Sequence, residues 1–272
     1  MESRTASPDK VSSEHLSTKR TNDHHHQAVA EKLARVRQQI IELSKHYDRG
    51  ADSVSLLAVS KTRPITDLQA ALAIGQRDFG ENYLQEALDK ILALGETDTD
   101  APQWHYIGAI QSNKTRPIAE HFDWVHTLSS SKIATRLANQ RTAARPPLNV
   151  LIQVNIDAED SKAGVLATDL MPLIDAILPL PNLALRGLMA IPRAATTLDA
   201  QRRPFRKLHE LLNVAQQHYG ADLSGFDQLS MGMSADMEAA IAEGSTWVRV
   251  GTAIFGERAG KGDATLAPKG AQ

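Results

Sequence analysis

The sequence predicts a single (β/α)8 barrel of the TIM type, and three observations carry the prediction. Eight short apolar runs alternate with amphipathic stretches between Val54 and Val250, and parallel strands need such crossovers to be joined. The first run, Leu56-Leu57-Ala58-Val59, is apolar without alternation, as in a strand buried on both faces of a parallel sheet. The rival is an open doubly wound sheet, whose phosphate loop normally follows the first strand. That position here reads Ser60-Lys61-Thr62-Arg63-Pro64, without glycine, which weakens the rival.

An opening helix is predicted over 27–47, where Val29, Leu33, Val36, Ile40 and Leu43 recur at three- and four-residue spacing. Strands are predicted at 54–59, 78–80, 104–107, 124–128, 148–155, 184–190, 228–230 and 247–250. The intervening helices are predicted at 65–74, 83–93, 113–120, 132–142, 167–178, 198–219 and 235–243. Thr66 followed by Gln69 reads as a capping box. Ser234 is the expected N-cap of the last helix, which stops at Gly244. Pro204, inside the helix drawn from Leu198, predicts a later start or a kink.

Composition narrows the classes. The chain has 272 residues, a formal net charge of -2 and no cysteine. A barrel of this length commonly forms one domain. The charge balance gives no footprint for nucleic acid or an anionic membrane. Disulfides and thiolate catalysis are excluded. No apolar stretch approaches the roughly 18–20 residues that span a bilayer, and the polar start lacks a signal peptide's apolar core. Cytoplasm is the expected location. Residues 1–26 read as a disordered tail, 27–258 as the barrel and 259–272 as a flexible tail. His24-His25-His26 closes the first tail; adjacent side chains of a helix do not converge on one metal ion, so the run reads as solvated.

In such a barrel the functional residues gather at the C-terminal ends of strands. Lys61 closes the first strand, and burial favours the neutral, nucleophilic amine of a lysine. Snorkelling to solvent is the plain alternative. At the far end, Leu229-Ser230-Met231-Gly232-Met233-Ser234 and Arg249-Val250-Gly251-Thr252 follow the last two strands. Glycine turns, helix N-termini and hydroxyls suit an oxyanion, although each segment alone is ordinary turn chemistry. An amine at the first strand and a phosphate cradle at the last two suggest pyridoxal 5′-phosphate. Other strand ends add Glu81-Asn82, Gln111-Ser112-Asn113-Lys114 and Asn155. Helix capping is the alternative for Asn82 and Asn113. His105 reads as a core or surface residue rather than a base, and Lys162 as a solvated rival amine.

Six ordered segments carry a resemblance. They are Ala58-Val59-Ser60-Lys61-Thr62, Phe79-Gly80-Glu81-Asn82-Tyr83, and Trp104-His105-Tyr106-Ile107-Gly108 with Gln111-Ser112-Asn113-Lys114. Arg186-Gly187-Leu188-Met189-Ala190-Ile191-Pro192, the Leu229–Ser234 run and Val248-Arg249-Val250-Gly251-Thr252-Ala253-Ile254-Phe255-Gly256 complete the set. Together they closely resemble the pyridoxal phosphate homeostasis protein family over residues 27–256. Ala109 stands where that family often has proline, and Ala235 where aspartate is common.

The resemblance implies a barrel like the N-terminal domain of alanine racemase, without its C-terminal β domain, holding pyridoxal phosphate as a lysine aldimine. It implies that Lys61 forms the Schiff base and that Ser230, Gly251 and Thr252 hold the phosphate. Met231 and Gly232 would lie nearby, Arg249 would face the pyridine nitrogen, and Asn82 would line the mouth. Two functional classes follow. A racemase or decarboxylase needs a second domain and a partner subunit to close the site, and this chain ends shortly after its last strand. A carrier that buffers the cofactor, maintains vitamin B6 homeostasis and supplies apo-enzymes needs only the cradle. The carrier, as a monomer and not an enzyme, is the expectation; a phosphate-sugar barrel enzyme would leave the motif set accidental.

Overall fold

The computed structural model describes residues 8–95, 101–159 and 161–257. Strands β1 (Ser55–Val59), β2 (Asp78–Glu81), β3 (Gln103–Tyr106) and β4 (Trp124–Leu128) are followed by β5 (Leu148–Gln153), β6 (Leu183–Met189), β7 (Gln228–Ser230) and β8 (Trp247–Val250). They close in chain order into one parallel barrel. At the seam Leu57 pairs with Arg249 and Ala58 with Val250. Lys61 and the Gly251-Thr252 turn therefore share one rim, although they lie at opposite ends of the sequence.

The period of two along each strand explains why the strands are apolar on both faces. Leu57 joins Trp124, Leu151, Met189 and Trp247 in a small cluster inside the barrel. Leu56 and Ala58 face the other way, into the large core between strands and helices that includes Phe79, Phe122 and Phe205. Gly187 is required where β6 meets β7: its φ is +150° and a Cβ would lie 1.9 Å from the Gln228 carbonyl oxygen.

Helices α1 (Pro8–His46), α2 (Ile65–Ala73), α3 (Leu84–Leu94), α4 (Thr115–His121) and α5 (Ser131–Gln140) cover the first half. They are followed by α6 (Leu170–Ile177), α7 (Leu198–Tyr219), α8 (Met237–Ala242) and α9 (Thr252–Phe255). Val29, Leu33, Val36 and Ile40 of α1 are buried as the spacing predicts. That helix starts at Pro8 rather than near Gln27, inside the segment read as a tail. The tail expected over 259–272 lies outside the described residues.

Two capping expectations are corrected, and of the two outcomes predicted from Pro204 the later start does not occur. Pro64 takes the N-cap position of α2 without a side-chain cap, which places Thr66 too far along to form the capping box. Thr197 caps α7 through the Ala200 N–H, so the helix starts at Leu198 and contains Pro204. Helix α8 starts at Met237, with Asp236 at its N-cap. The Asp236 carboxylate instead accepts the Met233 N–H at 2.6 Å, which leaves Ser234 in an exposed turn.

Candidate functional site

A cavity of about 360 Å³ opens at the C-terminal rim of the barrel. Val59, Ile107 and Met189 form its apolar wall, and Lys61, Arg63, Asn82, Ser234, Arg249, Gly251 and Thr252 bring polar groups to it. Five of the eight residues expected from the sequence line this one space: Lys61, Asn82, Arg249, Gly251 and Thr252. Ser230, Met231 and Gly232 do not line it.

Lys61 is half-buried in a turn just past β1. The next residue, Thr62, adopts a φ of 63°, a left-handed conformation that costs a β-branched residue roughly 1–2 kcal/mol. Its backbone N–H donates to Glu86 at 2.6 Å. Lys90 donates to that same Glu86 carboxylate at 2.6 Å, to Glu81 at 2.7 Å and to the Ser60 carbonyl at 2.7 Å. Ser60 Oγ donates to Glu81 at 2.6 Å. The turn that carries the amine is thus fastened to a buried ion cluster. Burial pushes the Glu81 carboxyl up, against the pull of the Lys90 ammonium.

Asn82 is no helix cap: Tyr83 occupies the N-cap position of α3. The Asn82 side-chain oxygen is buried without a hydrogen-bond partner, the condition of a group left for a ligand. Asn113 falls in a short 3₁₀ turn, Ser112–Lys114, so neither asparagine caps an α-helix.

Arg249 is 5% exposed. It donates through Nη1 to the Ser230 carbonyl at 2.7 Å and Ser230 Oγ at 2.9 Å, and through Nη2 to the Ala190 carbonyl at 3.1 Å. Burial brings its pKa down to about 10, so it remains a cation at neutral pH. These contacts explain the absence of Ser230 from the cavity: its hydroxyl is fully buried beneath it, between Arg249 and His126. Met231 turns outward into the strand–helix core. Gly232 has a φ of +94°, and a Cβ there would lie 2.4 Å from the Ala240 Cβ.

The hydroxyl-bearing residues that line the cavity are Ser234 and Thr252. Thr252 also opens α9, after Gly251 at its N-cap position. The first amides of a helix have no intrahelical acceptor and are available to an anion. Arg63 was not anticipated. It lines the cavity and ties the Lys61 loop to the end of α9 by donating to the Gly256 and Glu257 carbonyls. The rival amine Lys162 is committed elsewhere, to Asp157 at 3.0 Å and Glu159 at 2.8 Å. His105 lies fully buried in the barrel interior.

Residues 31–259 match the family model of the alanine racemase N-terminal domain. The chain is 53% identical over 231 residues to the pyridoxal phosphate homeostasis protein of Pseudomonas aeruginosa, covering 85% of this chain and 96% of that one. The structure of PipY from Synechococcus elongatus PCC7942 with PLP bound is 36% identical, with a TM-score of 0.72, over 84% of this chain and 99% of that chain. Alanine racemase from Corynebacterium glutamicum shares the fold at 16% identity and a TM-score of 0.61, with 62% of its length covered. The part of the racemase outside the match has no counterpart among the described residues. With the rim geometry and these likenesses together, the chain belongs to the pyridoxal phosphate homeostasis protein family, built on the alanine racemase N-terminal barrel.

Proposed function

We propose that this protein binds pyridoxal 5′-phosphate in the rim cavity and carries or buffers it, rather than catalysing a reaction with it. One observation carries the reading: a single cavity joins the Lys61 amine, the buried Arg249 cation and the Ser234, Gly251 and Thr252 groups suited to an oxyanion. The residues fit the group. The cavity volume lies in the range of about 300–1,000 Å³ usual for small-molecule sites, and the unpartnered Asn82 oxygen supplies a further contact.

When bound, the cofactor supplies an aldehyde that reacts with a primary amine. Lys61 holds that amine at the mouth of β1, on a turn fixed by Glu86 and Lys90. Ser234, Thr252 and the first amides of α9 would hold the phosphate, and Arg249 would lie toward the ring nitrogen. Arginine holds its proton tightly, so a ring nitrogen facing it is not protonated, which suits retention over chemistry.

The proposal extends to a cytoplasmic monomer that supplies apo-enzymes, with residues 27–258 as the binding unit. Among the described residues, no helix is long and apolar enough to cross a membrane. Borohydride treatment of the loaded protein followed by mass spectrometry tests the assignment: the label should fall on Lys61, and Lys61→Ala should lose the visible absorbance band. A label mainly on Lys162 or Lys114 would overturn it.

A further inference from the structure

Beneath the cavity, four side-chain contacts form an unbroken line through the barrel interior. Arg249 Nη1 lies 2.9 Å from Ser230 Oγ, and Ser230 Oγ lies 2.8 Å from His126 Nδ1. His126 Nε2 lies 3.0 Å from His105 Nδ1, and His105 Nε2 lies 3.0 Å from Asp78 Oδ1. Ser230, His126 and His105 are fully buried. His105 stacks on Trp124 with the rings 5° from parallel, and Trp247 packs against both. Asp78 emerges at the opposite end of the barrel, in a groove beside Arg37 and Arg77.

With both imidazoles neutral, the carboxylate end fixes the direction of every link. A guanidinium can only donate and an ionised carboxylate can only accept. Arg249 therefore donates to Ser230, Ser230 to His126 Nδ1, His126 Nε2–H to His105 Nδ1, and His105 Nε2–H to Asp78. In this direction both imidazoles are neutral Nε2–H tautomers; a proton added to His105 would instead reverse the inner links, with His105 donating to His126 and His126 to Ser230. Burial holds His126 well below the ordinary imidazole range. Aligned links polarise one another and strengthen the chain, with a charge-assisted bond at each end.

We propose that Ser230, His126, His105 and Asp78 are positioning residues for Arg249, forming a one-directional hydrogen-bonded chain that holds its guanidinium still at the cavity floor. Asp78, His105 and His126 do not line the cavity, so any effect they have on a bound ligand is indirect, and the hydrogen-bonded route from them leads to Arg249. The inference rests in part on the reading that the cavity holds pyridoxal phosphate, and the experiment separates the two.

In the full-length ¹⁵N-labelled protein without ligand, long-range proton–nitrogen spectra should show both His105 and His126 as neutral Nε2–H tautomers. An Nδ1–H tautomer or an imidazolium at either site would overturn the chain whatever the cavity binds. In the second arm, His126→Phe should weaken pyridoxal phosphate about tenfold and shift its bound absorbance band toward that of Arg249→Leu. Asp78→Leu, at the far end, should move the Arg249 guanidinium nitrogen signal in the same direction. Leu151→Ala, a cavity-forming change in the barrel interior, should lower stability without moving that signal. An Arg249 signal unchanged in both His126→Phe and Asp78→Leu would overturn the positioning role. If His126→Phe does not fold, the tautomer spectra and Asp78→Leu decide the matter. If the Arg249 signal moves but the wild type does not bind pyridoxal phosphate, the functional reading fails and the positioning chain stands.

Discussion

Lys90→Met is the most informative perturbation of the Lys61 turn. The Glu81 and Lys90 side chains are 0% and 7% exposed, 2.7 Å apart. Removing the ammonium leaves a buried carboxylate uncompensated, which costs about 3–5 kcal/mol. Glu81 escapes that cost by taking up a proton, and burial already pushes its carboxyl up in the intact cluster. The sign follows. A carboxyl whose folded pKa exceeds its unfolded value contributes stability below the unfolded pKa and loses it as pH rises through the folded one. The variant should therefore fall about 3–5 kcal/mol below wild type near pH 8. As pH falls toward the range where an unfolded glutamate is protonated, the gap should close by at most about 1.4 kcal/mol per pH unit. Roughly 1 kcal/mol should persist from the lost hydrogen bond to the Ser60 carbonyl. Urea unfolding at several pH values reads this directly, with Lys90→Met/Glu81→Gln as the partner variant. The double variant keeps an acceptor for Ser60 without a charge, so it should recover most of the stability and lose the pH dependence. A pH-independent loss, or no recovery, would refute the reasoning.

Ser234→Ala and Thr252→Val should each weaken pyridoxal phosphate by roughly ten- to a hundredfold while sparing pyridoxal, the scale of a charged hydrogen bond. Ser230→Ala should instead weaken both ligands alike, because its hydroxyl serves Arg249; paired titrations distinguish the patterns. Gly187→Ala should destabilise the barrel by about 3 kcal/mol or more, visible in thermal unfolding, since the new Cβ meets the Gln228 carbonyl. Amino acids added to the loaded protein should show little α-proton exchange in deuterated water by NMR; Lys61-dependent exchange at about 1–10³ per second would mark an enzyme instead.

The strand order and the rim were legible because both rest on local pattern. A run such as Leu56–Val59 has no alternation, and only a two-sided strand buries all of it. Lys61, Asn82, Arg249, Gly251 and Thr252 could be singled out because each closes or follows a strand, where barrel chemistry gathers, and all five line the rim cavity. Ser230 was singled out for the same reason; its side chain is buried in the interior, and the chain runs on through Gly232 to bring Ser234 to the mouth. Arg63 and Ser234 stood inside motifs already noted, Ser234 as the expected helix cap. Lys90 left only the faint signal of a Glu86–Lys90 pair at four-residue spacing. The contact between His126 and Ser230 joins residues 104 positions apart, and no periodicity reports such a pairing before the barrel closes.

The network around Arg249 bears on why such a fold would hold a reactive cofactor quietly. A mobile arginine could swing away and leave the ring nitrogen to water, a proton source. Here the guanidinium is held by two backbone carbonyls and by a serine that is itself tied, through two imidazoles, to a carboxylate at the far mouth of the barrel. Burial costs the cation some of its basicity, but at about 10 its pKa still leaves it charged at neutral pH. A fixed cation opposes protonation of a ring nitrogen facing it, whereas a carboxylate in that place would favour protonation and with it the electron-withdrawing power on which amino-acid chemistry depends. The turn that carries Lys61 is fastened through Thr62 and Ser60 to Glu86 and Lys90, and the proposed hold on an aldehyde does not require that power. The Lys61 turn and Arg249 are each tied into a separate buried network, and on the proposed reading that fixed geometry favours retention of the ligand over its chemical activation.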